Sequence, residues 1–427
     1  MKFQKPKGTR DLMPEDMAKR RKYFEAVRKV LIRYGYGEIM TPAFETLALL
    51  EAKGSIGQEC VKDVFRIWDK GKEKLGYGLI FDPTTPIARI VANDTSLQKP
   101  MRWYYIRPMW RYEETRPGRY REFWQAGVEL IGSDSPLADA EILAITYDCM
   151  KAMGITDFTL RVNSRKIMES LAKIAGIPEE KRTDAFRIID KLDKIGEKEV
   201  RGELERFEIP KEAIDSFIRY VKMGKEDIKK ELKDYKEALE DLEEIEQVLE
   251  YAKKMGVDNA RLDLSIIRGI DYYTGFIFET FVKGYEKLGS VASGGRYDSL
   301  IEIYGGKPTP ATGVGIGIDR MMEIFKEKVP YSPLVYVANA KEETKDDAIR
   351  IAQMLRKEIS AEFDVLGKKL KKQFEYVNTK EIPYCVIVGP DEIKENSVVV
   401  RDMKSGKEEK IEVKKLKDFF LQLKKRK

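Results

Sequence analysis

The chain has 427 residues, 42% of them apolar, with 79 lysines and arginines against 73 aspartates and glutamates and a net charge of +6. That length fits about two to four domains, and three scattered cysteines (Cys60, Cys149, Cys385) at no metal-binding spacing read as the reduced thiols of a cytosolic protein. There is no histidine, which excludes imidazole acid–base catalysis, a Ser/His/Asp triad and every histidine-ligated metal site; no apolar run of about 18 residues predicts a membrane span, and Met1–Pro6 lacks the apolar core of a signal peptide.

Residues 17–34 predict an amphipathic helix, with Phe24, Val27, Leu31 and Tyr34 along one face, ended by Gly35 and Gly37. A short strand, Glu38–Met40, stops at Thr41-Pro42. Leu79–Phe81 suit a buried strand that delivers Asp82 at its end. Pro83 and Pro86 then open a helix carrying Arg89. Read locally, Asp82 or Thr84 is an N-cap.

Residues 102–132 predict an antiparallel hairpin. The outgoing arm runs from Trp103 through Glu113, Glu114–Arg119 is a charged turn, and Tyr120–Gly132 returns. Residues two apart on a strand share a face. Arg111 and Glu113 therefore lie side by side on one arm, and Gln125, Gly127 and Glu129 on the other. A polar stripe facing solvent is the plainer reading. A glycine between two polar side chains instead leaves room for a ligand to approach the backbone.

Ser135-Pro136 caps a helix over 137–153, and Phe158–Val162 is a strand. From 164 to 256 strand patterns vanish and helices follow one another, broken at Gly176-Ile177-Pro178, Ile209-Pro210 and Gly224. Leu232, Tyr235, Leu239, Leu242, Ile245 and Leu249 make a heptad-like stripe, too short for an extended coiled coil. The segment reads as a helical insertion in a sheet domain whose strands resume at 261–267 and 276–283. Between those strands lies Arg268-Gly269-Ile270-Asp271-Tyr272-Tyr273-Thr274-Gly275. It puts a cation, a carboxylate and two tyrosines where a plain strand carries valines. Read alone, it is a tight bend with two core tyrosines.

Ala292–Asp298 is followed by Thr312–Met321, where glycines alternate at 313, 315 and 317 ahead of Asp319-Arg320. Such a strand has one bare face, suited to a flat ligand. The spacing is not G-x-G-x-x-G, and no G-x-x-x-x-G-K-[ST] occurs. A linker over 326–333 precedes alternating strands and helices (334–338, 343–358, 364–378, 384–388, 397–403) that predict a separate α/β domain. Its second helix ends Lys371-Lys372-Gln373-Phe374-Glu375-Tyr376-Val377-Asn378. Lysine, aromatic and amide groups in that mixture suit single-stranded RNA.

Together these segments resemble the class II aminoacyl-tRNA synthetases, and the histidyl-tRNA synthetase family in particular. Residues 17–45 resemble motif 1, with its proline at Pro42. Residues 103–132 resemble motif 2 through Arg111-Tyr112-Glu113, and 313–320 resemble motif 3, ending in Arg320. Ile267–Tyr273 and Ser293–Asp298 resemble stretches particular to the histidine family. The resemblance covers nearly the whole chain. It implies an α+β fold: an antiparallel-sheet catalytic domain in two parts (1–163 and 259–328), a helical insertion (164–258) and a C-terminal α/β anticodon-binding domain (334–427).

The resemblance also implies a reaction and its residues. Histidine and ATP, the latter with Mg²⁺, give histidyl-adenylate, and the histidyl group then passes to the terminal adenosine of its tRNA, in a cytoplasmic homodimer with no membrane attachment. Arg111 grips the α-phosphate, Glu113 meets the adenine amino group and Arg320 holds the γ-phosphate. Arg268 reaches the histidine carboxylate and the α-phosphate, so Arg268 and Arg111 are the residues placed at the chemistry. Asp82, Thr84 and Gln125 hold the ammonium; Glu129 and Tyr273 hold the imidazole, with Tyr272 beside them. Two anions must meet, and planar, permanently charged guanidiniums suit that task. The chain departs from the family twice. Leu79-Ile80-Phe81-Asp82-Pro83-Thr84 stands where the family has Leu-Arg-Pro-Glu-x-Thr, so the acid is one methylene shorter. Phe123-Trp124-Gln125 stands where it often has Phe-His-Gln. The alternative is a catalytically silent paralogue that senses histidine or tRNA.

Overall fold

Helix α1 (Pro14–Arg33) starts with a proline, whose missing N–H costs nothing in the first turn, followed by Glu15 and Asp16 at the positive end of the helix dipole. Its buried face, including Tyr23, Phe24, Val27, Val30 and Leu31, packs toward the helix over Pro136–Ala152. A computed structural model of the chain describes residues 2–52, 61–267 and 272–425. These form two compact units, residues 1–328 and 329–427.

In the first unit, short strands β1 (Gly37–Glu38), β2 (Phe44–Thr46), β3 (Arg66–Asp69) and β4 (Lys74–Leu79) lead into helix α2 (Thr84–Asn93). Two long strands follow, β5 (Met101–Trp110) and β6 (Glu122–Ile131), then helix α3 (Pro136–Ala152) and β7 (Phe158–Ser164). The Ser135 hydroxyl accepts from the Leu137 amide at 3.2 Å, so the expected cap of α3 is present. After the helical segment come β8 (Ala260–Leu262), β9 (Phe276–Val282), β10 (Ala292–Arg296) and β11 (Ala311–Gly317). Eight strands pair in the order β1-β5-β6-β11-β10-β9-β7-β8; β2, β4 and β3 form a separate small sheet. The large sheet is antiparallel except at its edges, where β1 runs parallel to β5 and β8 to β7.

Two strands end earlier than their patterns predict. β5 stops at Trp110 because the Tyr112 amide bonds the Asp63 carbonyl at 2.7 Å rather than the returning arm. Arg111 and Glu113 therefore lie in the loop beyond the strand. β8 stops at Leu262 because the Asp263 carboxylate accepts from the Ser265 amide and hydroxyl, at 3.1 and 2.6 Å, and turns the chain.

Seven helices run from Arg165 to Lys254. The first, α4 (Arg165–Ala175), and the last, α5 (Lys236–Lys254), both border the sheet layer. The buried stripe of α5 is Ala238, Leu242, Ile245, Val248 and Ala252, and it packs on α3 and α4. Leu232 belongs to the preceding helix end, and Tyr235 is an exposed N-cap, so the predicted heptad stripe begins too early. One apolar core runs from α1 and α3 through this segment to helix α6 (Ile318–Ile324).

In the second unit, β12 (Val335–Asn339), β13 (Ala361–Phe363), β14 (Tyr384–Val388), β15 (Ser397–Asp402) and β16 (Glu408–Glu412) form a sheet ordered β13-β12-β14-β15-β16. Helices α7 (Lys345–Leu355), α8 (Leu370–Thr379) and α9 (Val413–Lys425) accompany it. The predicted helix over 364–378 begins only at Leu370. Asp364 accepts from the Leu366 amide at 3.2 Å and from the Lys368 amide, which makes a turn instead. Among the described residues no helix is long and apolar enough to cross a membrane.

Candidate active site

A cleft lies over the middle of the large sheet, lined by a few convergent polar groups among apolar and aromatic ones, as ligand sites are. Its lining contains Asp82, Thr84, Arg111, Glu113, Gln125, Glu129, Tyr272, Tyr273 and Arg320. These residues come from five separate stretches of sequence. Arg268 lies outside the described residues.

Strand register explains the convergence. On β6, Glu129, Gly127 and Gln125 face Gly313, Gly315 and Gly317 of β11, while Tyr105 of β5 pairs with Gly127. The bare face is not an open floor. A Cβ on Gly313 would overlap the Glu129 carboxylate, and one on Gly315 the Gln125 amide. A Cβ on Gly127 would lie 2.6 Å from Tyr105 Cε2. The glycines thus make room for polar side chains of neighbouring strands to lie flat across the sheet. Gly127 admits the Tyr105 phenol rather than a ligand.

At one end of the cavity Glu129, 2% exposed, accepts from the Thr84 hydroxyl at 2.8 Å and from the Tyr297 hydroxyl. Burial pushes its carboxyl up to about 8; the Tyr297 and Thr84 hydroxyls oppose that rise and nearby Asp82 adds to it. Asp82, also buried, accepts from the Thr85 amide at 3.0 Å. The N-cap of α2 is Pro83 rather than Asp82 or Thr84, but Asp82, just before it, still bonds the first turn and lines the cavity as well. Burial pushes Asp82 up, against the Thr85 amide and the Arg111 charge. Tyr272 packs against Tyr273 and Tyr297, with ring centroids 4.9 and 5.8 Å apart. Midway along, the Gln125 amide donates to the Tyr105 hydroxyl at 3.2 Å.

The rest of the lining is cationic, beginning with Arg111 close to Asp82. Arg111 Nε donates to the Phe81 carbonyl at 3.1 Å, and its guanidinium lies 5.1 Å from the Phe123 ring centroid. Arg119 donates to Glu113 at 2.6 Å. Arg320 donates to the Ser290 carbonyl. The carboxylate before it, Asp319, is buried and accepts from Arg10, Arg20 and, at 2.6 Å, the Trp124 amide.

Tyr105, Arg119 and Tyr297 line the cavity without having been singled out from sequence. Tyr297 lay in the stretch Ser293–Asp298 and Arg119 in the charged turn, so both had a signal. Tyr105 had none, being one of four aromatic residues along β5. Arg296, next to Tyr297, is committed elsewhere: it pairs with buried Asp139 at 2.8 Å and donates to the Ser133 carbonyl at 2.9 Å.

A mostly antiparallel sheet with a ligand cavity over its central strands, joined to a five-stranded α/β unit, is the architecture of a class II aminoacyl-tRNA synthetase with an anticodon-binding domain. The family model described as histidyl-tRNA synthetase matches residues 8–321, and the one described as anticodon binding domain matches 334–423. The histidine–tRNA ligase of Pyrococcus furiosus is 39% identical, with 98% of each chain covered. That of Methanocaldococcus jannaschii is 37% identical over 98% of this chain and 99% of its own. The crystal structure of histidyl-tRNA synthetase from Nostoc sp. PCC 7120 superposes with a TM-score of 0.85 at 29% identity, covering all of both chains. The chain belongs to the histidyl-tRNA synthetase family.

Proposed function

We propose that the chain joins histidine to its tRNA in two steps, with the acidic end of the cavity holding the amino acid and the arginine end holding ATP. The observation that carries this division is the line of β6. Glu129 and Gln125 are four residues apart on one face, about 14 Å at roughly 3.4 Å per residue, and the cationic loop follows. An aminoacyl-adenylate is long and asymmetric in the same sense.

In this reading Asp82, Thr84 and Gln125 take the ammonium. Glu129 and Tyr273 take the two imidazole nitrogens, with Tyr272 and Tyr297 packed beside them. A buried acid at Glu129 with no cation against it among the described residues favours a ligand that brings positive charge. An amino acid without matching groups leaves the buried carboxyl unpaired, which can discriminate by roughly 10⁴–10⁵. Arg111 and Arg268 bring the two anions together, Arg320 holds the γ-phosphate and Glu113 receives the adenine amino group. Mg²⁺ enters on the phosphates of ATP, as part of that substrate.

The histidine carboxylate attacks the α-phosphorus, the bond to the β-phosphate oxygen breaks, and pyrophosphate leaves. The hydroxyl of the tRNA terminal adenosine then attacks the acyl carbon and AMP leaves. No side-chain imidazole exists to take the hydroxyl proton, so a phosphate oxygen of the adenylate accepts it. The loop over 114–119 and the helical segment 164–258 meet the acceptor stem, and the unit over 334–427 meets the anticodon. The segment over 17–45 supports a homodimer: Met40 is 86% exposed and Phe44 49%, large apolar groups suited to a second copy. The site of action is the cytoplasm. ATP–pyrophosphate exchange across the amino acids tests the reading. Exchange with histidine alone is expected; exchange with none leaves a silent sensing paralogue.

A further inference from the structure

The N-terminal arm touches the nucleotide end of the cavity at several points. Gly8 has φ +83°, and a Cβ there would lie 2.7 Å from Arg121 and 2.8 Å from Thr115. Its carbonyl accepts from the Arg121 amide at 2.9 Å. Two residues later the Arg10 guanidinium lies 3.4 Å from the centroid of the Tyr120 ring and bonds the Asp319 carboxylate. The Tyr120 hydroxyl donates to Glu323 of α6 at 3.2 Å. Asp319 also accepts from the Trp124 amide at 2.6 Å. Trp124 directly precedes Gln125, and Asp319 directly precedes Arg320.

Arg10 therefore joins three pieces of the site: the loop after β5 through Tyr120, strand β6 through Asp319 and Trp124, and helix α6 through Asp319 itself. Arg20 bonds the same Asp319 oxygen but is 1% exposed at its side chain, whereas the Arg10 side chain is 23% exposed. Removing Arg20 would strip a buried carboxylate of its buried partner, a structural loss. Removing Arg10 leaves Asp319 paired with Arg20, so the fold persists. Two guanidiniums on one carboxylate also leave one positive charge in excess beside Arg320, where polyphosphate would lie.

We propose that Arg10 is a positioning residue for nucleotide binding: it fixes the loop over 111–121 and Arg320 relative to each other, and the histidine end does not depend on it. This inference rests on the division of the cavity given above. The test uses full-length wild type, Arg10→Met, Arg10→Gln and Arg10→Lys in histidine-dependent ATP–pyrophosphate exchange, with thermal melting of each. Both neutral variants should raise KM for ATP by about tenfold, the equivalent of one charge-assisted contact. KM for histidine should stay within about twofold, and melting should change little. Arg10→Lys keeps the charge on Asp319 but loses the planar stack on Tyr120, so its KM for ATP should fall between. Arg10→Gln decides the matter if Arg10→Met does not fold. Unchanged KM for ATP overturns the proposal, as does an equal rise in both KM values with lowered melting. Wild type that exchanges with no amino acid would instead overturn the assignment of function.

Discussion

Gly315 and Gly313 stand two apart on β11, yet alanine should affect them in opposite ways. A Cβ on Gly315 would lie 2.7 Å from Gln125 Cδ and overlap the amide nitrogen. The obstacle is the end of a rotatable side chain, so Gln125 swings away and gives up its bond to Tyr105. That costs about 0.5–1.5 kcal/mol of stability. If Gln125 holds the substrate ammonium, the charged hydrogen bond lost with it amounts to about 1.5–3 kcal/mol. At about 1.4 kcal/mol per factor of ten, kcat/KM for histidine falls roughly 10- to 150-fold. On Gly313 the new Cβ would meet the Val128 carbonyl at 2.5 Å as well as the Glu129 carboxylate. A backbone carbonyl in a paired strand cannot rotate away, so β6 and β11 must part, at about 1–3 kcal/mol or more. Chemical denaturation and pyrophosphate exchange at varied histidine separate the two cases. Gly315→Ala with wild-type KM for histidine, or with a larger stability loss than Gly313→Ala, refutes the claim that these glycines are cut to fit side chains.

Three further outcomes are expected. Arg111→Ala and Arg320→Ala should each slow exchange by about 10²–10³ with little change in melting, as loss of preorganised charge does; a fall in melting that tracks the lost activity would make them structural. Arg296→Ala should destabilise by about 3–5 kcal/mol, because it strands buried Asp139, as read by denaturant midpoint, while a midpoint near wild type contradicts this. Glu129 is raised from 4.5 to about 8 in the folded chain. The unfolded chain releases this proton first, so the stability the group contributes is complete below about pH 4.5 and is lost as pH rises to 8. The melting advantage of Glu129→Gln over wild type, without ligand, should therefore grow from pH 4.5 to 8, and an offset that stays constant rules the effect out.

Local pattern carried much of the fold. The period of α1, the alternation along β5 and β6, the Ser135-Pro136 cap and the glycine ladder of β11 are all set within a few residues, so each is visible without neighbours. The edges were not. β13 and β16 have no expectation behind them, because a three-residue strand and a charged one, Glu408–Glu412, carry no apolar alternation to read. The site was legible as a set of residue types and illegible as a surface. Gly127 looked like an opening toward a ligand, and whether it is one depends on which β5 residue stands opposite. That residue is Tyr105, fixed by pairing across the whole hairpin.

Asp82 makes the sharpest case. Its sequence admits a helix cap or a ligand contact, as though one excluded the other. In the structure the Thr85 amide binds one carboxylate oxygen, and that bond orients the buried group toward the cavity it lines. If Asp82 takes the histidine ammonium as proposed, the bond to Thr85 is what permits the shorter acid to serve. An aspartate reaches less far than a glutamate, but an aspartate locked to the first turn of α2 loses less rotamer freedom on binding a cation than a glutamate free to turn. Asp82→Glu should then disturb the start of α2 and weaken histidine binding together. A variant that binds histidine as wild type does would show that the bond to Thr85 and the contact are separable.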